Sequence, residues 1–363
     1  MKILLVRLRL IGDVVFTTPL VRALRLRYPD AHLTYVVEPL AASVIRGNPY
    51  LTELLVAPRR GGAARLRDDL ALARTLRRGR FDLAIDLHGG PRGAWLTWAS
   101  GAPMRIGYAT AGRSWMYTHV VPRPADLSAR HSVAKQWDLL GPLGIGPCDP
   151  ARDAVEMPAE PAAAERVARR LAQAGIGPAD ELVVLHVRAG NPFRRWPPEH
   201  FAALVAHLAR RGPGRRFMLT SGPSDADAAR AIVDEIRRSA APAAAVSHAQ
   251  FDVAELRALA ARATVYIGGD SGPLHIAATT RTPVVALFGP TLAGRSMPWR
   301  DPRWFAEALD AGPLPCRPCR QRECEPGDFR CLTRIGPERV AAAAERALVA
   351  VHAAAQERRA LHA

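Results

Sequence analysis

The sequence predicts an α/β protein of two Rossmann-like, doubly wound parallel sheets facing a cleft, and three observations predict it. Short apolar runs such as Ile3–Leu8, Leu83–Leu87, Leu182–Val187 and Val284–Phe288 read as strands buried on both faces. They alternate with segments of helical spacing, the pattern of parallel sheets. The alternation also runs twice. Gly144–Pro161, rich in Gly, Pro, Asp and Glu and without periodicity, separates the two runs and reads as an interdomain linker. At 363 residues the chain is long for one core. The boundaries drawn are 1–155 and 156–340, followed by a C-terminal helix and tail over 341–363.

Taken in order, Ile3–Leu8 is the first strand, and Arg9–Asp13 follows it as a loop. Val14–Tyr28 has helical spacing but contains Pro19. Either that helix is bent, or it begins with Thr18 as its cap and Pro19 at the first position. Leu33–Val37 and Glu53–Val56 are strands, with a helix over Pro39–Arg46 between them. Helix Asp68–Arg78, strand Leu83–Leu87, a helical Trp95–Trp98, the extended Arg105–Tyr108 and helix His131–Leu140 complete the first run. The second has helix Glu165–Ala174, strand Leu182–Val187, helix Pro198–Ala209, strand Arg216–Thr220, and helices Ser224–Arg238 and Val253–Ala261. A long helix from Pro337 to about Ala355 is expected to pack back across the domains.

Hydrophobic content of 48% with 23% charged residues is that of an ordinary globular protein. No apolar run reaches the roughly 18 residues of a membrane helix. Met1-Lys2 leads straight into a strand, too short for a signal-peptide core, so a cytoplasmic location is expected. The formal net charge is +16, and 48 of the 50 basic residues are arginine. Residues 1–150 hold 21 basic against 11 acidic residues, a net of +10, which suits an anionic partner.

The densest chemistry lies in Thr264–Gly289, which reads strand, glycine-rich turn, short helix, strand. Gly268-Gly269-Asp270-Ser271-Gly272 lets backbone approach a ligand closely, and the N–H groups at the helix start favour a diphosphate. Pro273 fits the first helical turn. Asp13, next to Gly12 and just past the first strand, sits where α/β sheets place their ligands.

These residues carry a resemblance. VRLRLIGDVVFTTPLVRALRLRYPDA near the N-terminus resembles glycosyltransferase family nine, the ADP-heptose:lipopolysaccharide heptosyltransferases. DLHG at 86–89, RIGY at 105–108, RRWPPEHF at 194–201, SGPSDAD at 221–227 and GGDSGPLHIAA at 268–278 follow in the family's order and spacing. The resemblance implies the GT-B fold, with an N-terminal acceptor domain, a C-terminal nucleotide-sugar domain and catalysis between them. It also implies an ADP-heptose donor and a lipopolysaccharide acceptor at the inner membrane surface; an inverting transfer without catalytic metal or cofactor is expected, because cationic side chains can do the diphosphate work.

Transfer from a nucleotide sugar needs a base for the acceptor hydroxyl and stabilisation of the departing diphosphate. Asp13 matches the family's catalytic aspartate, although an Asp here could also cap the first helix. Arg194 or Arg195 can neutralise the diphosphate. Family members often carry Lys at the Arg194 position, so the charge is kept and the geometry changed. Ser271, Gly272 and Leu274 would offer backbone N–H groups to the same phosphates. Asp270, which a phosphate would repel, would accept from sugar hydroxyls. His275 either contacts nucleotide or sugar or is a satisfied core residue. Asp225 stands where the family commonly has an acid on the ribose, here shorter than the usual Glu. Gly12, Arg59, Arg60 and Arg65 are the acceptor-binding candidates. The three arginines are read as lying in a Gly61-Gly62 loop after a strand end, and the family also uses basic residues nearby.

Cys316-x2-Cys319-x4-Cys324-x6-Cys331 could form a tetrahedral zinc site or be reduced thiols packed in a surface loop. Two rival functions remain. A nucleic-acid-binding protein would explain the charge, but no such signature is present and aromatics are only 6%. A nucleotide-sugar epimerase would use the same fold without an acceptor.

Overall fold

The apolar run at the N-terminus becomes the centre of a parallel sheet. The computed structural model describes residues 1–123, 129–187, 192–239 and 245–360, and divides at Pro158/Ala159 into two units. In the first unit the strands are β1 (Lys2–Val6), β2 (His32–Val37), β3 (Glu53–Val56), β4 (Leu83–Asp86), β5 (Met104–Tyr108) and β6 (His119–Val121). They form one sheet in the order β3-β2-β1-β4-β5-β6, with every pairing parallel. Leu5 of β1 lies opposite Tyr35 on one side and Ile85 on the other. Ile3, Leu4 and Leu5 are fully buried, and each contributes roughly 1.5–3 kcal/mol of burial energy.

The second unit repeats the plan. Its strands are β7 (Leu182–Val187), β8 (Arg216–Ser221), β9 (Ala245–Ala249), β10 (Val265–Gly269), β11 (Val284–Phe288) and β12 (Ala306–Asp310). The order is β12-β11-β10-β7-β8-β9, again all parallel. In both sheets the winding direction reverses beside the first strand of the unit, between β1 and β4 and between β7 and β10. Such a switch point opens a crevice at the carboxyl ends of the strands.

Several elements differ from the sequence expectation. β6, β9 and β12 were not anticipated, and each is an edge strand. β12 (AEALD) buries only Leu309 and β6 only Val121, so neither shows a continuous apolar run. Pro19 does not bend one long helix. A short helix Ile11–Val15 ends, and a second runs Thr18–Arg27 with Pro19 in its first turn. The helix expected from Asp68 already begins at Gly62, whose φ of +58° suits glycine. Arg65 therefore lies in the first turns of helix Gly62–Gly79 and not in a loop.

Gly144–Pro161 is not a free linker. Val155 and Met157 are buried, Arg22 Nη1 donates to Glu156 Oε2 at 2.8 Å, and the Glu156 N–H donates to Thr18 Oγ1 at 3.0 Å. The last helix, Pro337–Ala360, packs within the second unit. Val340, Ala343, Ala344 and Leu348 join the core formed by helix Pro198–Arg211, β10 and β11. Residues 361–363 of the expected tail lie outside the described residues.

Candidate active site

In the first unit the switch point is organised by a buried arginine. Arg7 follows β1, is 4% exposed, and donates from Nη1 to the Leu87 carbonyl at 3.0 Å, linking the end of β1 to the end of β4. Its Nη2 lies 2.7 Å from Asp13 Oδ2. Asp13 belongs to the short helix Ile11–Val15, and its Oδ2 also accepts the Leu10 N–H at 3.3 Å, which ties it to the start of that helix. The capping role is therefore real, and it uses only one oxygen. Among the described residues no hydrogen bond reaches Oδ1, and the side chain keeps 32% of its surface in solvent. Gly12 is buried within the same turn.

Across the switch point, the buried Asp86 carboxylate accepts the His88 and Gly89 N–H groups at 2.9 Å and the Tyr117 hydroxyl at 2.7 Å. Burial still outweighs these bonds and raises its pKa. Two glycines make this packing possible. A Cβ on Gly107 would stand 2.4 Å from the Tyr117 ring, and one on Gly93 would stand 3.0 Å from Asp86 Oδ1. Desolvation, reinforced by the Arg7 charge, pushes the His88 imidazole down to about 4. His88 is therefore neutral at physiological pH.

A cavity of about 330 Å³ opens at these strand ends, with Arg9, Glu38, His88 and the predicted Arg59, Arg60 and Arg65 in its lining. The three predicted arginines are more than half exposed. Their carboxylate partners stand off, with Arg59 3.7 Å from Glu38, Arg60 3.3 Å from Asp68 and Arg65 3.7 Å from Asp69.

In the second unit four strand ends converge. After β10, Asp270 is almost enclosed. Thr291 Oγ1 donates to its Oδ2 at 2.7 Å and Ser296 Oγ to its Oδ1 at 3.0 Å, and His275 Nε2 lies 3.6 Å away. Burial alone would raise its pKa. The His275, Arg194 and Thr291 contacts win and hold the carboxyl well below the usual carboxylate range. Arg194, after β7, donates to the Asp270 carbonyl and to Gln321 Oε1 (2.9 Å), with Nη1 3.5 Å from Asp270 Oδ2. Arg195 beside it is exposed. After β8, Asp225 is 8% exposed, and its Oδ1 is buried with no hydrogen-bond partner among the described residues. Ser271 Oγ is in the same condition. Buried oxygens without partners at strand ends are what an unfilled polar subsite leaves.

Leu274 needs correction as an N–H donor. Its N–H closes a turn on the Ser271 carbonyl at 3.1 Å, and its side chain is fully buried in the core. Gly272, at the first position of helix Gly272–Ala278, and Ser271 have no backbone acceptor for their N–H groups among the described residues. His275 is buried beside Asp270. The sequence reasoning missed Arg7, Asp86, His88, Thr291, Ser296 and Gln321. The DLHG motif carries the available signal, an Asp at the end of an apolar strand.

Cys316, Cys319, Cys324 and Cys331 are free thiols that share the lining of a second cavity, of about 390 Å³. Neighbouring thiols reinforce the burial that pushes Cys331 up to about 11. Among the described residues no group of three or more His, Cys, Asp or Glu side chains is placed to hold a metal ion, so zinc finds no support here.

Residues 70–328 match the family described as glycosyltransferase family 9 (heptosyltransferase). Lipopolysaccharide heptosyltransferase 3 of Escherichia coli K12 is 31% identical over 298 residues, covering 80% of this chain and 83% of that protein. The structure of a family 9 glycosyl transferase from Veillonella parvula is similar with a TM-score of 0.82 at 25% identity, covering 96% of this chain and 97% of the other. For the Escherichia coli ADP-heptose lps heptosyltransferase II the TM-score is 0.76 at 21% identity, with 96% and 99% covered, a likeness of fold. Two six-stranded parallel sheets of the same winding, a match over most of the length and a relative above 30% identity lead to one assignment: the chain belongs to glycosyltransferase family 9 and has the GT-B fold.

Proposed function

We propose that the chain is an inverting heptosyltransferase that moves heptose from ADP-heptose to an anionic inner-core lipopolysaccharide acceptor, with Asp13 as general base. The observation that carries this reading is the state of Asp13. One carboxylate oxygen is tied to Arg7 and the Leu10 N–H, the other has no hydrogen bond among the described residues, and the side chain keeps 32% of its surface in solvent at a switch point. A carboxylate fixed on one side and open on the other can receive a proton in a defined direction.

In this reading the acceptor hydroxyl gives its proton to Asp13 while its oxygen bonds to the anomeric carbon of heptose. The bond from that carbon to the diphosphate oxygen breaks, its electron pair leaves with ADP, and the anomeric configuration inverts. Arg194 and Arg195 take up the charge on the diphosphate, so no metal is required. The unpartnered Asp225 Oδ1 accepts from hydroxyls of the nucleotide sugar, the Ser271 hydroxyl donates to it, and Asp270 with His275 shapes its pocket. With both its oxygens already accepting from Thr291 and Ser296, Asp270 contributes more by ordering the site than by grasping hydroxyls. Arg59, Arg60 and Arg65 hold anionic groups of the acceptor. The relationship to a lipopolysaccharide heptosyltransferase supports the sugar and the acceptor class. Among the described residues no helix is long and apolar enough to cross a membrane. In our reading the enzyme meets its lipid-anchored acceptor peripherally, at the inner face of the inner membrane.

The test is release of ADP from ADP-heptose with and without O-deacylated inner-core lipopolysaccharide. ADP is expected only with acceptor present, and at the same rate in EDTA. Acceptor-independent formation of an isomerised sugar would point to an epimerase instead.

A further inference from the structure

The cavity of the first unit has an arginine that the acceptor reading does not use. Arg92, in the first turn of helix Pro91–Ala99, has only 9% of its side chain exposed. Its Nη1 donates to Glu38 Oε1 at 2.9 Å. Its Nε and Nη2 donate to Asp69 Oδ1 at 2.9 and 2.6 Å, and Nη2 also donates to the Pro58 carbonyl at 2.8 Å. One guanidinium thus ties together the end of β2, the chain after β3 and the helix that carries Arg65.

The distances divide the carboxylates unequally. Glu38 and Asp69 hold Arg92 at hydrogen-bonding distance, while their contacts to Arg59 and Arg65 are 3.7 Å each. Charge counting gives the same picture. Arg59, Arg60, Arg65 and Arg92 face Glu38, Asp68 and Asp69, four positive against three negative groups. Without Arg92 the count is three against three, and two buried carboxylates lose the partner that satisfies them. The nearest replacements are Arg59 and Arg65, and drawing them inward would take from the cavity the donors an anion needs.

We propose that Arg92 is a positioning residue that occupies Glu38 and Asp69, and so keeps Arg59 and Arg65 available to carboxylate or phosphate oxygens of the acceptor. This rests on the acceptor reading above. Arg92 itself is too enclosed to be the receptor.

The experiment measures kinetics of the full chain with ADP-heptose and fully deacylated (O- and N-deacylated) inner-core lipopolysaccharide, which removes any lipid surface. Arg92→Met keeps much of the apolar stem and deletes the charge. It is expected to raise acceptor KM about tenfold, equivalent to ~1.4 kcal/mol, to flatten the salt dependence of that KM, and to leave donor KM unchanged. Adding Glu38→Gln and Asp69→Asn to Arg92→Met should bring acceptor KM back toward the parent value, because the competing charges are gone. An unchanged acceptor KM in Arg92→Met, a parallel change in donor KM, or no rescue by the two amides would overturn the proposal. If Arg92→Met does not fold, Arg92→Gln, which removes the charge but keeps hydrogen-bond donors for the carboxylates, decides. A raised acceptor KM with unchanged donor KM supports the proposal, and an unchanged acceptor KM refutes it. Arg59→Ala with Arg60→Ala tests the underlying reading separately. If that pair leaves acceptor KM unchanged, the acceptor site is elsewhere, whatever Arg92 does.

Discussion

Asp13→Asn is expected to lower kcat by about 10²–10⁴, the range that a positioned general base contributes. Asn keeps the shape and can still accept the Leu10 N–H and an Arg7 N–H, so the switch-point turn should persist. What it lacks is a site for the proton. Arg7 is buried and loses its counter-charge, which costs stability of about 1–3 kcal/mol. A lowered melting temperature is therefore expected, and assays well below it separate the catalytic loss from unfolding. Donor KM should hold, because in this reading Asp13 touches the acceptor. Turnover near that of the parent would remove Asp13 from the mechanism.

Arg194→Ala is expected to cost about 10²–10³ in kcat, as removal of one charge-stabilising donor does elsewhere. The guanidinium is held by Gln321 and the Asp270 carbonyl, so its direction is set before a ligand arrives. Asp270 retains Thr291, Ser296 and His275 when Arg194 is removed, so the crevice should not collapse. Arg194→Lys restores the positive charge but cannot make both contacts, and is expected to recover only part of the rate. Steady-state kinetics with saturating acceptor check this. If Lys and Ala are equally defective, geometry matters more than charge. If neither is defective, the diphosphate charge is carried elsewhere.

The inner strands were legible because a strand covered on both faces must be apolar throughout, as Ile3–Val6 and Val284–Phe288 are. The edge strands β6 and β12 have one open flank and partly exposed side chains, so their sequences carry no such run. Asp13 and the Asp270-Ser271 turn could be found because each lies where a strand gives way to a helix, a local signal. Their partners could not. Gln321 reaches Arg194 from 127 residues away, and Arg7 is one arginine among 48 until the fold places it beside Asp13. Leu274 misled for a related reason. Its position at a helix start implied a free N–H, but the Ser271 carbonyl takes that N–H within the turn. The arginine patch was visible as charge. That Glu38 and Arg92, from two other elements, would decide how much of it is available was not.

The most direct measurement is the anomeric configuration of the new glycosidic bond, read by NMR on heptosylated, O-deacylated inner-core lipopolysaccharide made from ADP-heptose of known configuration. A single displacement by a hydroxyl that Asp13 deprotonates requires inversion at the anomeric carbon. A product that retains the donor's configuration would contradict that mechanism.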